Sequence, residues 1–218
     1  METSSANINS SEVLILVMGQ AGCGKSLFIN SAANKDEKNN GGLNACTELR
    51  RTICRHPTIS SRRFTLIETP GFNNTNLTPS DSAILQDTVK LMKEEFSGHK
   101  FGGILYLQQR GQEKPMIKEL LGNDVLKENL LHVVTILGPS SRGSSEQGEL
   151  YFQKTLQISQ RNDTAWKIID KVYQKVECKN LTVGVIQPEL EATWKSLESK
   201  KGGESNGRGW SWFFSLFH

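Results

Sequence analysis

Apolar runs of strand length alternate along the chain with segments whose apolar residues recur every three or four positions, the pattern of a mostly parallel sheet with helices on both faces. The first run, Val13 to Met18, predicts a strand, and a helix is predicted from about Lys25. Phe64 to Ile67 reads as another strand, stopped by Thr69, Pro70 and Gly71 because proline cannot donate into a central ladder. Ser80 suits a helix cap. Beyond it Leu85, Val89, Met92 and Phe96 make one apolar stripe, while Lys90, Lys93 and Glu94 face water. Gly103 to Leu107 and His132 to Leu137 predict two more buried strands. A Gly/Ser-rich loop, Gly138 to Ser145, then leads to a helix striped by Ala165, Ile169, Val172 and Val176. Leu181 to Ile186 is expected as a last strand, and Pro188 as the opening of a final helix carrying Leu190, Trp194 and Leu197. The division that follows is a flexible segment over 1–11, one domain over 12–200, and a linker with an aromatic tail over 201–218.

Composition narrows this reading without naming a partner. The 218 residues, 36% hydrophobic, suffice for one good core. A net charge of +3 is too small to argue for nucleic acid or an anionic membrane, and no nucleic acid is expected. Cys23, Cys46, Cys54 and Cys178 match neither a zinc pattern nor a disulfide framework, so free thiols in a reducing cytoplasm are expected. METSSANINSSE has neither the basic start nor the apolar stretch of a secretory signal.

The chemistry concentrates in Gly19, Gln20, Ala21, Gly22, Cys23, Gly24, Lys25 and Ser26, which spell G-x-x-x-x-G-K-[ST] directly after a strand and at the start of a helix. Glycines let the backbone wrap a β-phosphate with its N–H groups, and the helix start through Leu27 adds partial positive charge. In such a loop Lys25 reaches the β- and γ-oxygens and the Ser26 hydroxyl ligates Mg²⁺. Chance produces the pattern in about one chain of this length in a hundred, before the strand and helix are demanded. The fold class expected is therefore α/β, a P-loop NTPase three-layer sandwich. Cys23 is read as a small filler of space, against a thiol activated by the helix end.

Leu66, Ile67, Glu68, Thr69, Pro70, Gly71 and Phe72 resemble the D-T-P-G element of Ras-like GTPases, with Glu68 in place of Asp. Only a glycine lets the backbone amide approach a γ-phosphate closely, so Gly71 is expected to sense the third phosphate. With GQAGCGKSLFIN, ACTEL and GGILYL, this resembles the septin-like and immunity-associated branch of the GTPase superfamily. The pattern is nearest to small fungal G-domain proteins, whose L-x-x-Q-x-E-L segment is compared with VIQPEL. The resemblance covers about Val13 to Leu190 and implies GTP and GDP as ligands, Mg²⁺ held by Ser26, Thr47 and Glu68, and slow hydrolysis. Lys25, Thr47 and Gly71 are the candidate catalytic residues, Thr47 lying in a first switch after the polar stretch Asn39 to Asn44.

Three departures shape the expectation. Glu68 is one methylene longer than Asp, and Phe72 stands where many GTPases keep a water-orienting Gln. After Val133 to Leu137 the chain runs Gly138, Pro139, Ser140, Ser141, Arg142, without the N/T-K-x-D carboxylate that reads guanine. Two alternatives stay open: an ATPase with relaxed base selectivity, and a nonhydrolysing nucleotide-binding interaction module. The histidines, His56, His99, His132 and His218, receive no chemistry. Arg50, Arg51, Arg55, Arg62 and Arg63 are read as charge protecting an edge strand. Trp210, Trp212, Phe213, Phe214, Leu216 and Phe217 suit a groove on the domain, a second subunit in a homodimer, or a peripheral membrane contact. A protein effector is implied and its identity left unknown.

Overall fold

The computed structural model describes residues 12–35, 46–72, 79–110, 115–138 and 150–207, the last seven as backbone only. The first eleven residues, the whole polar stretch Asn39 to Asn44, the loop beyond Gly138 including Arg142, and the aromatic tail lie outside them. Six strands form one sheet: β1 (Glu12–Gly19), β2 (Arg50–Arg55), β3 (Arg63–Glu68), β4 (Lys100–Gln109), β5 (Leu131–Leu137) and β6 (Leu150–Gln153). Their order is β2-β3-β1-β4-β5-β6, with only the β2–β3 pair antiparallel. The chain builds outward from β1 to one side and then to the other. The C-terminal end of β1 is thus the point where connections diverge and leave a crevice.

Helices α1 (Lys25–Ala32) and α5 (Ile158–Glu177) pack together on one face. On the other lie α2 (Asp81–Glu95), α3 (Pro115–Leu121) and α6 (Val183–Gly207), with the short α4 (Asp124–Asn129) beside α3 and β5. The three-layer α/β architecture expected from the sequence is the one observed. Leu14, Ile15, Leu16 and Met18 of β1 are fully buried because both faces of the central strand are covered. Ser80 caps α2, accepting from the Ala83 amide. Phe64 of β3 meets Trp166 and Tyr173 of α5 edge-on at centroid distances of 5.7 and 5.4 Å, which fixes α5 to the sheet.

The C-terminal part corrects the sequence reading. Leu181 to Ile186 is not a strand: Thr182 makes one bridge with Lys100, and from Val183 the chain is helical. Val183, Ile186 and Leu190 are all buried, and their spacing of three and four is a helix period within a short apolar run. Pro188 therefore lies inside α6 and does not open it. The first α6 amides are satisfied from outside, Val183 N–H by the His99 carbonyl at 3.0 Å and Gly184 N–H by the Ser97 carbonyl at 3.1 Å. The helix continues to Gly207, through residues read as linker.

Three of the five arginines lie on the edge strand β2, while Arg62 and Arg63 lie at the start of the interior strand β3. Arg50, Arg51 and Arg55 are exposed on β2, and Arg51 leans over Phe96 towards Glu95. Arg62 pairs with Glu177 at 2.8 Å and covers Tyr173. No helix among the described residues is long and apolar enough to cross a membrane.

Candidate functional site

β1 delivers the chain to the crevice at Gly19, and α1 starts at Lys25. The turn between them uses positive φ at Gly19 (143°), Gly22 (72°) and Gly24 (112°). A methyl group at Gly19 would stand 2.2 Å from the Leu107 carbonyl oxygen of β4, so a side chain there would push the loop off the sheet. Gly24 caps α1 without a side-chain hydrogen bond, and the first intrahelical bond joins Phe28 N–H to the Gly24 carbonyl. The amides of Lys25, Ser26 and Leu27 consequently have no intrahelical acceptor, and together with the helix dipole they favour an anion.

Lys25 folds back over this turn. Its Nζ donates to the carbonyls of Gly19 at 3.0 Å and Gln20 at 2.9 Å, and the residue is only 5% exposed. No carboxylate pairs with it among the described residues. A buried cation of this kind is offset best by an anion placed in the same cradle. Cys23, beneath the loop, is buried, and burial pushes its thiol above the ordinary range against the opposing pull of Lys25.

The end of β3 runs alongside the loop. Thr69 N–H donates to the Val17 carbonyl and Phe72 N–H to the Gly19 carbonyl, both at 3.1 Å, while Ala21 N–H reaches the Phe72 carbonyl at 3.4 Å. Gly71 is pressed onto Ala21 so closely that a methyl group would stand 2.4 Å from the Ala21 Cα. Ser26 Oγ donates to Glu68 Oε1 at 2.6 Å, joining residues 42 apart in sequence. A hydroxyl and a carboxylate in contact, both of hard oxygen, suit Mg²⁺. The longer Glu68 side chain thus reaches across to Ser26 at the start of α1. Phe72 is fully buried and belongs to the core.

Thr47 is brought to the neighbourhood but not into contact. It is exposed and makes no hydrogen bond among the described residues. Its neighbour Cys46 is buried, donates to the Glu48 carbonyl at 2.8 Å, and lies within electrostatic reach of Glu68 and Lys25. On the opposite flank β6 adds a residue that the sequence reading missed. Lys154, just after β6, crosses Gly24: a methyl group there would stand 3.0 Å from its Cε and 3.5 Å from its Nζ. The missed signal was a four-residue strand with one buried side chain, Phe152, which packs edge-on against Phe28 of α1.

Two of the histidines, His56 and His132, are buried within the fold. His56 Nδ1 accepts from the Thr58 and Ile59 amides, and Nε2 faces Asp170 at 3.1 Å. His132 is buried in β5 with Nε2 unpartnered.

No family model and no curated protein sequence matches the chain. Among solved structures it is similar to a dimerization-deficient mutant of Toc33 from Arabidopsis thaliana, at 12% identity over 84% of this chain and 68% of that one, with a TM-score of 0.39. It is also similar to Aquifex aeolicus Era bound to GDP and AlF4⁻, at 11% identity over 75% of this chain and 56% of that one (TM-score 0.46). GDP-bound IFT22 of T. brucei gives 16% identity over 75% of this chain and 97% of that one (TM-score 0.40). The chain thus spans little more than half the length of Era. At these identities and TM-scores the likeness carries no functional weight, and the chain's chemistry rests on its own side chains.

Proposed function

We propose that this is a G domain of the septin-like and immunity-associated type, which binds GTP and GDP with Mg²⁺, hydrolyses GTP slowly and works as a cytoplasmic molecular switch. The observation that carries the reading is the Lys25 ammonium, buried on two loop carbonyls without a carboxylate partner and framed by the open amides of α1. The charge and the amides face one cradle. Together they suit the β- and γ-phosphates of a nucleoside triphosphate. Mg²⁺ would be held by Ser26 and Glu68, with Thr47 supplied by the first switch, and would neutralise charge on the phosphate oxygens.

Gly71 supports the sensing role, because its backbone lies against Ala21 of the loop and a third phosphate must share that space. Burial of Phe72 leaves no side chain at that position to orient an attacking water, which favours slow turnover. The same burial is the specific observation behind the second reading, a nonhydrolysing binding module. An effector would meet the two switch segments; the aromatic tail is the further candidate for a second copy or a membrane surface.

Phosphate release from GTP loaded with Mg²⁺ separates the two readings. Slow release, lost in Ser26→Ala and in EDTA while GDP affinity falls less, is the expected result. Intact GTP after prolonged incubation supports the binding module, and equal triphosphate affinity with and without EDTA contradicts the Mg²⁺ role.

A further inference from the structure

Resting on the nucleotide reading above, we propose that Lys154 is a second phosphate cation, which together with Lys25 holds the α- and β-phosphates of the bound nucleotide and leaves the third phosphate to other groups. Two ammonium groups bracket the phosphate loop. Lys25 Nζ sits at its start, on the Gly19 and Gln20 carbonyls at 3.0 and 2.9 Å. Lys154 comes to its end: a methyl group at Gly24 would stand 3.0 Å from the Lys154 Cε and 3.5 Å from its Nζ. Only the missing side chain of Gly24 gives that stem its path. Gly24 also caps α1, whose amides at Lys25, Ser26 and Leu27 lack an intrahelical acceptor, so the second ammonium stands beside the same open donors as the first. Cys23 feels both charges, each opposing the upward push of burial on its thiol.

Lys154 is held from behind and unpaired in front. Its amide donates to the Leu137 carbonyl at 3.2 Å, which ties it to the last residue of β5. The side chain is half-buried, and among the described residues no carboxylate pairs with it. Two like charges at the ends of one loop oppose each other in the empty protein, and an anion that spans them removes that cost. A single phosphate can sit at one of them. A diphosphate unit carries charge to both.

The two flanks of the loop distinguish the phosphates. Glu68 and Gly71 reach it from β3, on one side of β1, whereas Lys154 reaches it from the end of β6, with β4 and β5 between, on the other. With the third phosphate and its metal on the Glu68 side, the inner phosphates fall towards Lys154. Its charge therefore acts on groups that GTP, GDP and ATP share, and is indifferent to the base.

Titration of the full chain with GDP, GTP and ATP, and competition by inorganic pyrophosphate, test this. Lys154→Met, which keeps the stem and removes the charge, should weaken GDP and GTP by the same factor of about tenfold. It should weaken pyrophosphate as well and leave the GTP-to-ATP ratio unchanged, while Lys154→Arg should retain affinity for all of them. Without nucleotide the Lys154→Met protein should melt no lower than the wild type, since it loses a charge that has no partner in the empty fold. Undiminished affinity, a loss confined to GTP, or an altered GTP-to-ATP ratio overturns the assignment, by placing the ammonium in solvent, on the third phosphate or on the base. A lower melting temperature of the empty variant also overturns it, by making Lys154 a support of the fold. If the wild type binds neither nucleotide nor pyrophosphate, the nucleotide reading fails and takes this inference with it, an outcome distinct from equal binding by wild type and variant.

Discussion

At the scale of single residues, Gly71 shows how backbone contact limits side-chain choice. A methyl group there would stand 2.4 Å from the Ala21 Cα and 2.5 Å from its nitrogen, backbone atoms that cannot turn aside. Gly71→Ala must therefore push the segment after β3 away from the phosphate loop. Overpacking of this kind costs about 1–3 kcal/mol. In nucleotide titrations the variant should lose about tenfold or more in GTP affinity and little in GDP affinity, since only the third phosphate shares that space. Equal losses for both nucleotides would make Gly71 a support of the loop and not a sensor. The phosphate loop was legible in the sequence because its glycines, Lys25 and Ser26 each answer one local requirement at fixed spacing. Lys154 was not: a single basic residue after a short strand has no spacing to mark it, and only the tertiary approach to Gly24 singles it out.

Among the elements, β5 carries a group whose protonation opposes folding. His132 is buried beside Gly103 of β4 with its Nε2 unpartnered, and burial, aided by Lys175 and Lys171, lowers its pKa from 6.5 to about 4. The folded value lies below the unfolded one, so the unfolded chain binds the extra proton first. The neutral imidazole costs nothing of this kind above pH 6.5; stability falls as pH drops from there towards 4. Between pH 7 and pH 5 this amounts to about 2 kcal/mol. Denaturant unfolding of His132→Leu should show a pH dependence shallower by about that amount than the wild type. Parallel curves would mean that His132 is hydrated or paired when folded.

Legibility at this scale followed length and period. β1, β3, β4 and β5 announced themselves as apolar runs, and α2 and α5 by stripes at helical spacing. The 181–186 run contains too few residues to separate period 2 from period 3.6, and Pro188 suggested a helix start where α6 had already begun. It is tolerated there because its missing N–H costs one bond in a helix otherwise anchored on the α2–β4 connection through Ser97 and His99.

For the whole molecule, the consequence of the sheet order is that residues far apart in sequence converge on one crevice. β1 and α1 bring the cradle with Lys25 and Ser26, β3 brings Glu68 and Gly71, and β6 brings Lys154. α6 braces the assembly from the far face, with Glu189 accepting from Asn123 and Lys200 paired to Glu119 of α3. The central claim is that this convergence makes a triphosphate site around a buried, anion-seeking ammonium. Calorimetric titration of the full chain with GTP in Mg²⁺, repeated with Lys25→Ala, tests it most directly, with thermal unfolding confirming that the variant is folded. Stoichiometric binding by the wild type and none by a folded Lys25→Ala is the expected result; equal affinity in both proteins, or no binding by the wild type, would contradict it.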